Sequence, residues 1–183
     1  MGEPLPHRPV LLILAAFSQF DDALAWAARQ AEDRFGPIAM TSPMFQFTET
    51  DYYDPTMGSP LGKRFFAFER LIDPAALPEI KLATGEMEQA YAAEQADRKG
   101  VDALARPLNL DPGYISLGKL VLASTKDHAH RLYLGQGIYA EITLRYRRRI
   151  GWQPSEWTFA DYRRDDYHAF FDRCRDYLQA RRR

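Results

Sequence analysis

The strongest constraint on the fold is a continuous apolar run at residues 10–17, bounded by Pro9 and Ser18. A run of this length without alternation is typical of a strand buried on both faces of a sheet. It is too short to cross a bilayer, which takes about 20 apolar residues. It also lacks the basic start of a secretory signal peptide. The sequence therefore predicts a central β-strand here.

The segments around this strand predict an alternating order of helices and strands. A helix is expected from Asp21 to Gly36, and a second one from Asp73-Pro74 to about Lys99, because both have helix start signals. The segments expected to be extended are residues 38–47, interrupted by Pro43, residues 64–72 and residues 107–115. The order β-α-β-β-α-β is the ferredoxin-like plan, so we predict an α+β fold with a ferredoxin-like core sheet.

The second half of the chain predicts an extension of that core. Residues 116–124 place three apolar side chains on one helical face, although the same run also suits a strand. Gly135-Gln136-Gly137 separates residues 130–134 from 138–146, which is typical of a β-hairpin. Residues 167–178 have the spacing of a closing amphipathic helix. We find no linker or repeat, so a single domain over residues 1–183 is expected.

Composition limits the classes of function. The net charge is −1, which excludes a global field that attracts nucleic acid or membrane. Residues 140–183 nevertheless hold 11 arginines against 7 acidic residues, which permits a local anion site. The single cysteine excludes an internal disulfide and predicts a cytoplasmic protein. The apolar run at residues 10–17 is too short to cross a bilayer, so no membrane span is expected.

The stretch from Gly58 to Lys63 resembles a phosphate-binding loop but lacks its essential features. A Walker loop has four residues between its first glycine and Gly-Lys, and a Ser or Thr follows the lysine. Here three residues separate Gly58 from Gly62, and Arg64 follows Lys63. We therefore predict a turn before a strand and no nucleotide loop.

The following strand matches half of an RNA-recognition signature, through Arg64, Phe66, Ala67 and Phe68. Phe65 stands at the position of the key glycine, and the first strand offers no aromatic partner to stack a base. We predict that Phe66 and Phe68 belong to the core. A non-catalytic RNA-binding module using the sheet and the C-terminal arginines is the alternative function.

The hairpin has one apolar and one polar face. With a three-residue loop, Leu134 pairs with Ile138, Leu132 with Ala140 and His130 with Ile142 on one face. On the other face Tyr133 pairs with Tyr139 and Arg131 with Glu141. This polar face is a candidate site, with Arg131 for an anion, Glu141 as a base or metal ligand, and the tyrosines for orientation. The alternative is a partly solvated cross-strand ion pair.

His128 and His130 alternate along the chain and form a candidate metal pair. Neither Cys residues nor a compact His-x-x-x-His pattern accompanies them. His130 is therefore a metal-ligand candidate whose alternative is a hydrogen-bonded core histidine.

Several runs carry a resemblance to a known family. The central ones are residues 109–115, 119–127, 130–131 and 137–144, and shorter stretches agree at residues 52–53, 57–58, 65–68, 80–84, 88 and 157–163. Together they resemble the bacterial domain of unknown function 4416 family over nearly the whole chain. That family has no established activity. Its members are sometimes labelled GTP-binding, which the absent Walker loop does not support here.

The resemblance implies a set of polar positions that match the family pattern: Asn109, Asp111, Lys119, Lys126, Asp127, His130, Arg131, Glu141 and Asp161. Asp111-Pro112-Gly113 also suits a simple turn.

From these residues we predict a site for a small phosphorylated or carboxylated ligand around residues 109–143. Lys119, Lys126 and Arg131 would hold the anion, and Asp111, Asp127 or Glu141 would act as a base or bind a divalent ion such as magnesium. The sequence does not decide whether the site is enzymatic. A scaffold protein without a ligand is a third alternative.

Overall fold

The computed structural model describes residues 2–3, 5–99 and 103–182, which form a mixed α/β fold around one antiparallel sheet. The nine strands are β1 (Val10–Ser18), β2 (Ile38–Thr41), β3 (Phe45–Phe47), β4 (Leu61–Ile72), β5 (Asn109–Ile115), β6 (Lys119–Ser124), β7 (Leu132–Gly135), β8 (Ile138–Arg147) and β9 (Gly151–Pro154). The helices are α1 (Asp21–Phe35), α2 (Asp54–Met57), α3 (Leu77–Lys99) and α4 (Asp165–Arg181). Short 3₁₀ turns cover Pro74–Ala76 and Asp161–Arg163. No helix in the described part of the chain is both long and apolar enough to span a bilayer.

The strand order is β2-β4-β1-β5-β6-β8-β7, with β3 beside β4 and β9 beside β8. Every pairing is antiparallel. The first apolar run therefore forms β1 between β4 and β5 at the centre of the sheet, as predicted.

Layers of apolar side chains cover both faces of β1. Leu11 and Ile13 pack on one face with the buried residues of α4, including Phe171. Leu12 and Leu14 pack on the other face with residues of α1 and α3. Because successive side chains of a strand point to opposite faces, an uninterrupted apolar run is what a strand between two layers requires.

Phe66 and Phe68 of β4 are buried in the layer under α1 and α3, which confirms their prediction as core residues. A ring that stacks a nucleic-acid base has to be accessible. These two rings are therefore not available for that role.

The prediction of a helix at residues 116–124 is wrong, because the segment forms strand β6. Leu120 and Leu122 pack on the α4 side, while Val121 and Ala123 pack with Leu77 on the opposite side. An apolar run buried on both faces satisfies a strand, and short apolar runs do not separate the two structures by periodicity.

Strand β5 continues through Asp111-Pro112-Gly113, which agrees with the extended segment predicted at residues 107–115 and not with the turn that this tripeptide also suits. Gly113 permits this because a Cβ atom there would lie 2.3 Å from the backbone oxygen of Val121. The glycine thus serves the close approach of β5 to β6 instead of a turn.

The hairpin of β7 and β8 forms with a shorter loop than predicted. Leu132 pairs with Ala140 and Tyr133 with Tyr139, as expected, but Gly135 pairs with Ile138 and leaves Leu134 as a bulge. Gln136 and Gly137 form the turn with φ values of 56° and 76°, as in a type I′ turn.

The apolar face of this hairpin is divided between core and surface, because Ile138 is buried with Leu77 and Val121 whereas Leu132 is 74% exposed. Strand β9, which sequence patterns did not predict, follows β8 through an exposed turn that contains Arg148 and Arg149.

Candidate functional site

A cavity of about 760 Å³ lies at one end of the sheet, where β1 and β6 end and β4 and β5 begin. Phe17 near the end of β1 pairs with Lys63 on one side and Asn109 on the other. In an antiparallel sheet alternate strand ends meet at the same edge, which brings these distant residues together. The charged side chains of its lining are Glu49, Lys63, Lys81, Glu86, Glu88, Arg106, Asp111, Lys126, Arg131, Glu141 and Asp161.

The start of β5 supplies a chain of hydrogen bonds along the cavity wall. Arg106 donates to the Oδ1 atom of Asn109, whose Nδ2 atom donates to Asp111 Oδ2 at 2.9 Å. Lys81 Nζ donates to Asp111 Oδ1 at 3.2 Å and to the carbonyl oxygen of Leu110 at 2.9 Å. Asn109 and Asp111 alternate along β5, so both side chains lie on the same side of the strand.

Helix α3 contributes Lys81 and Glu88, which are two helical turns apart and therefore share a face. Glu88 Oε1 accepts a hydrogen bond from the backbone amide of Leu110 at 2.6 Å. Burial raises the pKa of Glu88, while Lys81 and the Leu110 amide act in the opposite direction. The fixed Oε1 atom leaves Oε2 without a hydrogen-bond partner in the described part of the protein.

The hairpin supplies a buried ion pair between Arg131 and Glu141, and confirms the predicted contact between them. Arg131 Nε donates to Glu141 Oε2 at 2.8 Å, and the two side chains are only 5% and 1% exposed. Thr143 donates to Glu141 Oε1 at 3.2 Å, and His130 Nε2 lies 3.2 Å from Oε2. The alternative of a partly solvated pair is therefore wrong.

A second nitrogen atom of the Arg131 guanidinium also forms hydrogen bonds. Its Nη1 atom donates to Ser124 Oγ at 2.6 Å and to the carbonyl oxygen of Lys126 at 3.1 Å. These bonds fix the end of β6 and the residues after it against the hairpin. The guanidinium thus connects Glu141 with the segment that carries Lys126.

A second buried ion pair, which sequence reasoning missed as a pair, joins β4 to the 3₁₀ turn before α4. Lys63 Nζ lies 2.6 Å from Asp161 Oδ2, and the side chains are 3% and 5% exposed. Five aromatic rings surround the ammonium group at 4.5–5.8 Å from their centres: Phe17, Phe47, Phe65, Tyr162 and Tyr167. Lys63 is thus part of β4, which begins at Leu61, three residues before the extended segment predicted from residue 64. The signal that could have revealed the pair is a lysine between the inward-facing Leu61 and Phe65.

The mouth of the cavity carries cations of a different kind. Within the described residues, Lys126 and Arg106 form no ion pair with a carboxylate. Lys126 Nζ lies 5.5 Å from the ring centre of Tyr52, and the Arg106 guanidinium lies 5.9 Å from that of Tyr53. The two tyrosine rings are in edge contact, with centres 5.1 Å apart. Both cations therefore flank one tyrosine pair.

Tyr53 also reaches inwards, against Phe17 and Phe47. Burial is the main reason that the pKa of Tyr53 is raised to about 12, and the negative charge of Asp111 adds to it. The phenol consequently stays neutral at physiological pH and can donate a hydrogen bond.

The structure brings six of the family-pattern positions into the cavity lining, namely Asn109, Asp111, Lys126, Arg131, Glu141 and Asp161, together with His128 of the candidate metal pair. Lys119, Asp127, His130, Tyr133 and Tyr139 are not part of that lining. Lys119 pairs with Arg145 at the opposite end of β6. Tyr133 and Tyr139 contact each other near the hairpin turn, and Tyr133 is 62% exposed.

The histidines form a stack instead of a cluster with other metal-binding groups. The ring of His130 lies between those of His128 and Trp157, at centre distances of 5.8 and 5.4 Å. Across the residues that the structure describes, no group of three His, Cys, Asp or Glu side chains could hold a metal ion. The arrangement therefore gives no support to the candidate metal role of His130.

Six charged residues of the lining lie outside the predicted set, and four of them take part in the contacts described above: Lys63, Lys81, Glu88 and Arg106. Lys81 and Glu88 are separated by seven positions on a helix, which is a signal of a shared face but not of what that face contacts. Arg106 precedes β5 in a segment without regular structure, and no local pattern points to it.

Comparison with known proteins gives one match. A family model described as "Domain of unknown function (DUF4416)" matches residues 8–177 of the chain. No curated protein and no solved structure matches it significantly.

Proposed function

The chain belongs to the DUF4416 family, and within that family we propose that it binds a small phosphorylated or carboxylated molecule in the cavity at the end of the sheet. One observation carries this proposal. Three cations of the cavity, Lys63, Lys81 and Arg131, each have a carboxylate partner, whereas Lys126 and Arg106 have none in the described part of the protein. Concave sites with uncompensated charge attract ions of opposite sign.

The proposal gives the paired residues a supporting role. Glu141 is held by Arg131, Thr143 and His130, so we assign it to the positioning of Arg131 and of the segment up to Lys126. Asp111, which accepts hydrogen bonds from Lys81 and Asn109, remains a candidate for contact with the ligand. Where the site transfers a proton, Glu88 is the carboxyl group best suited to it, because its pKa is raised and one of its oxygens has no partner among the described residues.

A thermal-shift screen of phosphorylated and carboxylated metabolites tests the proposal. We expect at least one compound to raise the melting temperature of the parent protein, because a ligand that binds only the folded state stabilises it. Lys126→Ala should reduce that shift, and Lys119→Ala is the matched control because Lys119 lies outside the cavity. If no anionic compound stabilises the protein, or if the two variants respond alike, the proposal is wrong.

We also propose that strands β2, β4, β1 and β5 form a ferredoxin-like core. Their order, β2-β4-β1-β5, and their antiparallel pairing support this topology. The RNA-binding alternative has less support, because Phe66 and Phe68 are buried and cannot stack a base.

A further inference from the structure

We infer that the ligand is a phosphorylated sugar or polyol, with its phosphate at the mouth between Lys126 and Arg106 and its hydroxyl groups on the paired charges of the interior. This inference rests on the proposed function and narrows its ligand class.

The mouth carries both cations that lack a carboxylate partner among the described residues. Lys126 lies beside the Tyr52 ring and Arg106 beside the Tyr53 ring, and these two rings are in contact with each other. A phosphate group can accept hydrogen bonds from several donors at once, and arginine matches its geometry particularly well. The neutral hydroxyl group of Tyr53 is a further donor beside them.

The interior does not favour a second anionic group. Its three cations are already paired with Asp161, Asp111 and Glu141. Glu88 adds a fourth acidic group, whose pKa is raised by burial. A ligand with two or three carboxylates would therefore place negative charge beside paired carboxylates, which costs free energy in a partly desolvated cavity.

Hydroxyl groups fit the same interior without adding charge. A hydroxyl group donates one hydrogen bond and accepts others, so it can donate to a carboxylate and accept from an ammonium or amide group. The ammonium group of Lys81 and the carboxylate of Asp111 provide a donor and an acceptor 3.2 Å apart, and the Asn109 amide is hydrogen-bonded to the same carboxylate. Glu88 Oε2, which has no hydrogen-bond partner in the described part of the protein, is a further place for a hydroxyl group.

Exposed rings at the rim complete the fit. Tyr52 and Phe159 line the cavity and are exposed. The carbon-bound hydrogens of a sugar or polyol can pack against an aromatic face, while its hydroxyl groups point to the polar wall. The cavity volume of about 760 Å³ lies within the range typical of small-molecule sites.

Calorimetric titration with matched compounds tests this inference. The probes are glucose 6-phosphate, ribose 5-phosphate and inositol 1-phosphate, compared with the free sugars, inorganic phosphate, phenyl phosphate and citrate. We expect at least one of the three phosphorylated compounds to bind tenfold or more tightly than each of the comparison compounds.

Variants assign the two halves of the ligand to the two parts of the site. Lys126→Ala should weaken binding of the phosphorylated compound by about tenfold, with Lys119→Ala as the unaffected control. Asp111→Asn should weaken the phosphorylated sugar or polyol but leave the weak binding of inorganic phosphate unchanged. Thermal unfolding without ligand shows whether each variant is folded, and Asn109→Ala replaces Asp111→Asn if the latter is not.

The outcomes separate this inference from the proposed function. If phenyl phosphate or citrate binds as tightly as the three phosphorylated compounds, the inference is wrong and the anion site stands. If Asp111→Asn and Asn109→Ala leave the preference unchanged, the placement of the hydroxyl groups is wrong. If no anionic compound binds, both conclusions fail together.

Discussion

Among single residues, Lys63 shows most clearly how environment decides role. In the sequence it follows a glycine in a stretch that resembles a phosphate loop, yet its ammonium group is buried against Asp161 and five aromatic rings. A charge in such a place is tolerated because a carboxylate and several ring faces replace its water shell. Its partner is 98 positions away, so the local pattern marks Lys63 as inward-facing but does not identify Asp161.

The Lys63–Asp161 pair leads to the first prediction. Lys63→Met leaves the Asp161 carboxylate buried without its partner, and we expect the free energy of unfolding to fall by about 3–5 kcal/mol. Urea denaturation of the parent and the variant measures the change. Arg34→Met is the control, because the Arg34–Glu86 pair is exposed and should contribute about 1 kcal/mol or less. Equal losses in the two variants would contradict the burial argument.

The second prediction concerns Glu88 and pH. Because burial raises its pKa above the ordinary value of 4.5, the folded chain keeps this proton to a higher pH than the unfolded chain does. The contribution of protonated Glu88 to the free energy of unfolding is therefore present below the ordinary pKa. It decreases as the pH rises towards the pKa of Glu88 in the folded state, and it is absent above that pKa. Glu88→Gln keeps an acceptor for the Leu110 amide but removes the titration.

We therefore expect Glu88→Gln to be more stable than the parent at about pH 8, with a smaller advantage or none at about pH 4. Thermal unfolding at both values measures this, since about 1 kcal/mol moves the melting temperature by roughly 2–4 °C in a domain of this size. Glu86→Gln is the control, as Glu86 is exposed. A pH-dependent gain of equal size in the control would rule out burial as the cause.

At the level of elements, the sequence predicts what depends on neighbouring residues and misses what depends on the partner strand. The bounds of α1, α3 and α4 and the central place of β1 follow from helix start signals and from one apolar run. The apolar spacing at β6 suits a helix as well as a strand, because the burial of its two faces in different layers is visible only in the structure. Asp111-Pro112-Gly113 suits a turn by its residue types, because the close contact of Gly113 with Val121 is visible only in the sheet.

The hairpin turn gives the third prediction. Gln136 has a φ of 56° in a two-residue turn, a conformation that asparagine adopts more readily than glutamine. We expect Gln136→Asn to raise the free energy of unfolding by about 0.5–1 kcal/mol. The same change at Gln89, on the exposed side of α3, should give no gain because asparagine is a poorer helix former. Chemical denaturation compares them, and a gain at Gln89 but not at Gln136 would refute the turn assignment.

Considered as a whole, the molecule has a sheet covered on both faces, and its site is at an end of that sheet. The order of the first segments was predictable because each segment carries its own pattern. The cavity was predictable only in part, because it draws on residues from Phe17 to Tyr162 that meet after the sheet has formed. Polar residues between Asn109 and Glu141 indicate its position. Residues 80–84 and 88 share the family resemblance, but the place of Lys81, Glu88 and Arg106 in the cavity wall is visible only in three dimensions.

The fourth prediction follows from the two covered faces. Phe68→Ala removes a fully buried ring from the layer under α1 and α3, and we expect a loss of about 3–5 kcal/mol in the free energy of unfolding. Circular dichroism during denaturation measures it. Phe159→Ala, at the exposed rim, is the control and should change stability little. A stable, fully folded Phe68→Ala protein would show that this face is not the core.

The exposed arginine turn between β8 and β9 supplies an internal reference for limited proteolysis. Trypsin can reach the peptide bonds after Arg148 and Arg149 by local opening, whereas the bond after Lys63, inside β4, becomes accessible only when the sheet comes apart. A compound that binds the cavity and is present at about 100 times its dissociation constant should therefore slow cleavage after Lys63 by about a hundredfold. Cleavage after Arg148 and Arg149 should keep its rate. The ratio of the fragments from the two cleavages in one digest therefore reports occupancy of the cavity, whether or not the protein is an enzyme.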